Sequence, residues 1–370
     1  MQSILDLLFT QSHMSTTRFY LLIATLSALI LAFAFTPVAK KVAYLVGAID
    51  VPKDNRRMHT KPIPRFGGMA IFIAVTVSLV LVRNVFLPKL GYTGPFVTTN
   101  YAERILAIIV GGAVIYAVGV VDDITGIGAK KKLLLQIFAA SVAFFIGIRM
   151  DSVFGFQLTD MGNLGMFLNY LVTILWIVLI TNTINLIDGL DGLAAGVSAI
   201  AAIAIAYSAY ISSMHVAALC MMTVAGAAIG FLPWNFNPAK IFMGDSGALY
   251  LGFIIASVSL IGPAKGAAIV ATIMPALVLA VPLFDVVFAV FRRLVRRQHI
   301  FAPDRNHLHH QLRYMGMGQR RSVLTLYGIS GIMGMAAVEL SRDLVKDSIM
   351  LFAVAMLFIL ILVWDWEKRS

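Results

Sequence analysis

Long apolar runs alternate with short polar segments along the whole of this chain. The runs fall at approximately 19–37, 68–87, 104–121, 133–149, 166–183, 192–211, 214–232, 247–262, 267–291, 322–340 and 347–365. Each is near the roughly 20 residues that an α-helix needs to cross a bilayer. The pattern predicts an all-α, polytopic integral membrane protein of about eleven transmembrane helices, read as a single domain over residues 1–370. An odd number of crossings places the two termini on opposite sides. Residues 1–17 carry one acid and no basic stretch, so they do not resemble a cleavable signal, and the first run is expected to stay as an anchor.

Composition agrees with the pattern. Sixty per cent of the 370 residues are hydrophobic and 13% are charged, against roughly 25% charged in an ordinary soluble domain. The single cysteine, Cys220, lies in an apolar run; it excludes an internal disulfide framework and a cysteine zinc site and reads as core filler. The positive charge is unevenly placed. Loops at about 38–67, 122–132, 184–191, 233–246 and 292–321, with the tail 366–370, hold 21 of the 29 lysines and arginines. The positive-inside rule then puts these loops in the cytoplasm, the N-terminus outside and the C-terminus inside. The net charge of +11 is thus a signal of topology and of attraction to anionic lipid, and gives no reason to invoke nucleic acid.

Acidic residues change the picture further. The same loops and their helix ends carry nine aspartates: Asp50, Asp54, Asp122, Asp123, Asp188, Asp191, Asp245, Asp285 and Asp304. Positive-inside asymmetry does not explain short carboxylates gathered on one face; a divalent cation with phosphates does. Where the fifth run ends, Asn182 and Asn185 stand one turn apart, followed by the Asp188-Gly189 and Asp191-Gly192 steps that end helical structure. One Asp-Gly step is ordinary turn chemistry. Two steps after two amides, at a helix C-terminus that repels anions, want a counter-charge, and Mg2+ takes oxygen ligands of this kind.

The other loops add to this set. Adjacent Asp122 and Asp123, before Lys130-Lys131-Lys132, repel each other unless a cation, a base role or a lysine uses them; the plainer reading makes them caps, with the lysines snorkelling. The segment Pro233 to Gly247 places Asp245 or Ser246 as the cap of the next helix, whose start favours an anion such as diphosphate. The first loop holds Arg56 and His59 among prolines and is equally a basic tether on lipid headgroups. The last carries Arg292, Arg293, Arg296 and Arg297, then Asp304, Arg305, His307, His309 and His310; without cysteine or an HExxH pattern, this favours an anionic ligand over zinc.

The Asp-Asp pair, the NxxNxxDGxDGLA ladder, PWNFNPAKIFMGDSGA and PDRNHLHH, in this order, resemble the polyprenyl-phosphate N-acetylhexosamine-1-phosphate transferase family over nearly the whole chain. The His307-Leu308-His309-His310 arrangement is similar to the N-acetylglucosamine branch rather than the phospho-N-acetylmuramoyl-pentapeptide branch, which stands as the alternative. The stretch Met315 to Leu324 looks more like teichoic-acid-linkage enzymes. The resemblance implies transfer of N-acetylglucosamine-1-phosphate from UDP-N-acetylglucosamine to undecaprenyl phosphate at the cytoplasmic face of the bacterial cytoplasmic membrane, releasing UMP, with Mg2+, or Mn2+ in its place. It implies Asp245 and Asn185 as metal ligands and Asp122 and Asp123 as the catalytic pair, one of them a base. Asp188, Asp191, Asn182 and Lys132 are implied to hold the nucleotide, and Arg305, His307, His309 and His310 the sugar diphosphate. A homodimer is an expectation from the resemblance alone. A secondary transporter is the other class; it would be expected to show internal repeats and polar breaks near mid-membrane, whereas the polar motifs here lie at one surface.

Overall fold

The computed structural model describes residues 2–52, 62–92, 100–153, 156–261, 275–280, 282–284, 293 and 317–367. Helix α1 (Gln2–Val46) leads through a two-residue antiparallel pairing of β1 (Ile49–Asp50) with β2 (Ile63–Pro64) into α2 (Gly68–Leu81). This helix continues through a π-helical turn into α3 (Leu87–Lys89). After α4 (Tyr101–Thr125) and α5 (Ala129–Ile146) comes a second small hairpin, β3 (Ser152–Val153) with β4 (Phe156–Gln157). Helices α6 (Gly162–Ile187), α7 (Leu193–Ile211), α8 (His215–Asn235) and α9 (Gly244–Ser259) follow, and α10 (Gln319–Ser341) and α11 (Val345–Glu367) come last.

Among the described residues, eight helices are long and apolar enough to cross a membrane: those at Thr16–Val46, Gly68–Lys89, Tyr101–Thr125, Gly162–Ile187, Leu193–Ile211, His215–Asn235, Gln319–Ser341 and Val345–Leu362. The chain is a multi-pass, all-α membrane protein. The fourth and eighth apolar runs are also helical, as α5 and α9, but three lysines open α5 and α9 has 16 residues. The ninth run, 267–291, lies largely outside the described residues.

Helices extend past the loop boundaries that hydropathy predicts. Helix α1 passes Pro37 and carries Lys40 and Lys41 on to Val46, Asp122 and Asp123 lie in the last turn of α4, and Asn185 lies in the last turn of α6. Hydropathy marks the stretch that lipid tolerates, whereas backbone hydrogen bonding continues until the chain conformation stops it. For α4 the stop is Gly126, left-handed at φ 69°.

Small residues bring the helices together. In lipid there is little hydrophobic drive between helices, so association rests on close backbone contact. Gly226 and Gly230 of α8 supply it: a Cβ on either would lie 2.2 Å from the Thr25 or Leu29 carbonyl oxygen of α1. Ala24, Ala28 and Ala32, successive turns of one α1 face, are fully buried. Among the described helices α9 is the most enclosed, buried from Ser246 to Ser259 and packed against α4 and α6 with α2 and α8 beside it.

The C-terminal ends of α4 and α6 meet the N-terminal ends of α2, α5 and α9. At the far end of the bundle, Arg104 pairs with Asp151 at 3.6 Å and Asn169 donates to Asp151 at 3.3 Å.

Candidate active site

The segment before α2 is laced to the segment before α9 by backbone hydrogen bonds. Phe242 N–H donates to the Pro64 carbonyl (2.8 Å), Gly67 N–H to Phe242 (2.9 Å) and Gly68 N–H to Met243 (2.8 Å). This lacing sets Arg65 beside the start of α9. Its guanidinium reaches Asp123 Oδ1 at 3.1 Å and Asp245 Oδ2 at 3.4 Å.

Lys132, in the first turn of α5, holds the opposite side. Its ammonium lies 3.0 Å from Asp122 Oδ2 and 3.2 Å from Asp245 Oδ1, and donates to Asn185 Oδ1 at 3.1 Å. Asn185 in turn donates to Asp245 Oδ1 at 2.7 Å. Asp245 therefore stands at the centre, with Lys132 and Asn185 on one oxygen and Arg65 on the other. Besides its own helix α9, four elements converge on it: the segment before α2, α4, α5 and α6.

The two members of the aspartate pair have different surroundings. Asp122 accepts from Lys132 and from Ile127 N–H at 2.8 Å, closing the turn into α5. Asp123 accepts from the Asp245 and Ser246 backbone N–H groups at 2.8 and 3.0 Å, and from Arg65. The expectation that Asp245 or Ser246 caps α9 is thus corrected: α9 has no cap from its own segment, and the carboxylate comes from α4.

The electrostatics follow from this crowding. Burial alone would raise the Asp245 carboxyl, but Lys132 above all, with the hydrogen bond from Asn185 and the nearby Arg65, holds it down to about 2. Asp188, one residue past α6, is pushed well above the usual carboxylate range by burial, then by Asp245 and Asp123. Burial works against the Arg65 charge, yet Asp123, Asp245 and Asp50 outweigh it and raise its pKa.

Comparison with known proteins reads the same residues from outside. The model for glycosyl transferase family 4 matches residues 105–263. A probable undecaprenyl-phosphate N-acetylglucosaminyl 1-phosphate transferase of Bacillus subtilis (strain 168) is 38% identical over 342 residues, covering 92% of this chain and 91% of its own. The chain belongs to glycosyl transferase family 4. Further relatives include the decaprenyl-phosphate N-acetylglucosaminephosphotransferase of Mycobacterium tuberculosis (strain ATCC 25618 / H37Rv), 35% identical over 86% of this chain and 81% of that one. The undecaprenyl-phosphate alpha-N-acetylglucosaminyl 1-phosphate transferase of Yersinia pestis is 27% identical over 89% and 87%.

In this family 4 chain, Asp122, Asp123, Lys132, Asn185 and Asp245 are in direct contact, and Asp188 adjoins them electrostatically. Asn182 lies a turn deeper, its amide exchanging hydrogen bonds with Gln136 of α5. Asp191 faces another way: it accepts from Asn237 Nδ2 at 2.8 Å and Ala239 N–H at 3.1 Å, tying down the loop between α8 and α9. Arg56, His59, Arg305, His307, His309 and His310 lie outside the described residues.

Sequence reasoning missed three participants. Arg65 was one cation among seven in its loop, and only the flanking Gly67-Gly68 hinted at close backbone approach. Gln136, a lone amide in an apolar run four residues after Lys132, was a readable signal. Asn237 was hidden in a loop rich in asparagine and proline; it also donates to Gln319 Oε1 at 2.9 Å, joining that loop to α10.

Proposed function

We propose that this chain transfers N-acetylglucosamine-1-phosphate from UDP-N-acetylglucosamine to undecaprenyl phosphate, releasing UMP, at the cytoplasmic face of a bacterial membrane. The observation that carries the reading is the cluster around Asp245: carboxylates, an amide and two cations at one end of a membrane bundle, in a family 4 chain. A water-soluble nucleotide sugar and a lipid phosphate can meet only at such a surface.

In the reaction an oxygen of the lipid phosphate attacks the β-phosphorus of the donor, and the bond from that phosphorus to the bridging oxygen of UMP breaks. Phosphoryl transfer asks for positioning and charge neutralisation more than covalent help. Lys132 and Arg65 are placed to neutralise phosphate oxygens, Asp122 is placed to accept a proton, and Asp123 beside it is placed to orient the groups around Asp245.

The donor set fits Mg2+. Asp245, Asn185 and Asp122 offer hard oxygen atoms linked through Lys132. Among the described residues no three His, Cys, Asp or Glu side chains form a metal cage; Mg2+ suits such a site, because it takes one or two carboxylates together with substrate phosphates. The ion would be held by Asp245, with Asn185 the second ligand, and would supply charge neutralisation of the diphosphate and a better UMP leaving group.

Membranes carrying the protein, supplied with undecaprenyl phosphate and radiolabelled UDP-N-acetylglucosamine, should form a lipid-linked sugar and UMP. Label transferred only from the UDP-muramoyl-pentapeptide donor would overturn the branch, and no transfer from either would overturn the enzyme. Asp245→Ala should insert normally and abolish cation-dependent UMP release.

A further inference from the structure

We propose that Asp123 is a positioning residue, a helix cap lent by α4 to α9 that fixes where Asp245 stands, and not a group that meets substrate. Its kinetic consequence rests on the transferase reading above; its structural consequence does not.

The Asp123 side chain has no exposed surface. Both of its oxygens are taken: Oδ1 by Asp245 N–H at 2.8 Å and Arg65 at 3.1 Å, Oδ2 by Ser246 N–H at 3.0 Å. The first amides of a helix have no partner within the helix. Helix α9 is preceded by Met243, which makes no capping bond. A carboxylate from another helix does here what Ser or Asp does at an ordinary helix start, and sets negative charge against the positive end of the helix dipole.

Two glycines make room for this. A Cβ on Gly244, held at φ +74°, would lie 2.6 Å from Asp123 Oδ2, and one on Gly119, a turn before Asp123, would lie 2.3 Å from Ser246 Cα. The end of α4 and the start of α9 are therefore in backbone contact around the carboxylate. Asp122 is bound elsewhere, to Lys132 and Ile127, and holds no amide of α9. If the Asp123 cap fails, the first turn of α9 loosens and Asp245 leaves Asn185 and Lys132.

The test uses the full-length protein in detergent, with amide hydrogen exchange read on peptides covering residues 243–250. Asp123→Asn keeps one acceptor and turns an NH2 toward a backbone donor. Gly244→Ala leaves Asp123 chemically intact and crowds its seat. Both should speed exchange at residues 245 and 246 about tenfold, the size of an ordinary cap, while Asp122→Asn should not. Both should lower turnover about 10- to 100-fold, as loss of a supporting contact does, and both should keep the wild-type pH profile of turnover.

Unchanged exchange in the two variants would overturn the cap. A pH profile that loses an ionisation in Asp123→Asn, or full activity in Gly244→Ala beside an inactive Asp123→Asn, would make Asp123 a group that meets substrate. Should Asp123→Asn fail to fold, Gly244→Ala decides both arms. Should the wild type show no transfer from any donor, the transferase reading falls and the exchange result still judges the cap.

Discussion

Removing Lys132 tests whether the cluster is held by charge. Its ammonium lies 3.0 Å from Asp122 and 3.2 Å from Asp245, and the three side chains are 14%, 8% and 24% exposed. At an effective dielectric constant of about 20, each contact is worth about 5 kcal/mol before desolvation. Desolvation offsets much of that, and removing one partner of a buried pair costs about 3–5 kcal/mol. Lys132→Met keeps the apolar stem and deletes the charge. We expect about 3 kcal/mol, the low end, because Arg65 still serves Asp245 and Asp245 is the most exposed of the three. The assay is denaturant unfolding in detergent at neutral pH and low salt, without divalent cation, as a double-mutant cycle with Asp122→Asn. The second substitution should cost less in the Lys132→Met background, with a coupling of at least about 1 kcal/mol. Additivity within about 0.5 kcal/mol, or a Lys132→Met protein as stable as wild type, would refute the reasoning.

Asp188 has a folded-state pKa above its unfolded value, so its contribution to stability is full at low pH and is lost as pH rises through the raised pKa; Asp188→Asn should raise the unfolding temperature at pH 8 without divalent cation, and a fall there would contradict the shift. Asp245, at about 2, behaves oppositely: its contribution is present above the unfolded carboxylate pKa and lost as pH falls toward about 2, so Asp245→Asn should flatten the acid limb of a stability profile. Gly226→Val should cost about 1–3 kcal/mol by forcing α8 from α1, read by thermal unfolding in detergent, and an unchanged midpoint would mean that the contact is not tight. Asp191→Ala removes two hydrogen bonds to a carboxylate, each worth about 1.5–3 kcal/mol, and should speed amide exchange over residues 236–241. Weakened UMP binding with that loop intact would instead place Asp191 on the nucleotide, as the family resemblance implies.

Which parts of the molecule were legible follows from what kind of interaction made them. Apolar runs report lipid crossing directly, so the helices at 68–87 and 104–121 lie where hydropathy puts them. The amide and carboxylate ladder was legible because polar groups at membrane depth need a reason, and Asn185, Lys132 and Asp245 do meet. What did not show is whatever depends on backbone approach between distant segments. No local pattern says that Asp123, rather than Asp245 or Ser246, caps α9, because that cap needs Gly119 close against Ser246 and Gly244 close against the Asp123 carboxylate. Arg65 was hidden for the same reason: its place is set by the lacing of 64–68 onto 242–243. Asp191 resembled its neighbour Asp188 in sequence, but turning past the helix end sends one carboxylate toward Asp245 and the other toward Asn237.

Charge balance links these observations. Among the described residues, Asp122, Asp123, Asp188 and Asp245 face Lys132 and Arg65, so full ionisation would leave two negative charges uncompensated by these side chains in a largely enclosed site. A buried site does not sustain that imbalance. One resolution is a proton, and the group best suited to carry it is Asp188, whose carboxylate accepts no hydrogen bond from the described residues and whose pKa burial pushes up. The other is a divalent cation, whose charge equals the deficit. A proton on Asp188 and a cation at Asp245 answer the same field, so each disfavours the other, and cation uptake would release protons and weaken as the pH falls. On this argument Lys132 and Arg65 are the resting partners of carboxylates built to receive more positive charge, and the cations freed from Asp245 are those nearest to an arriving diphosphate.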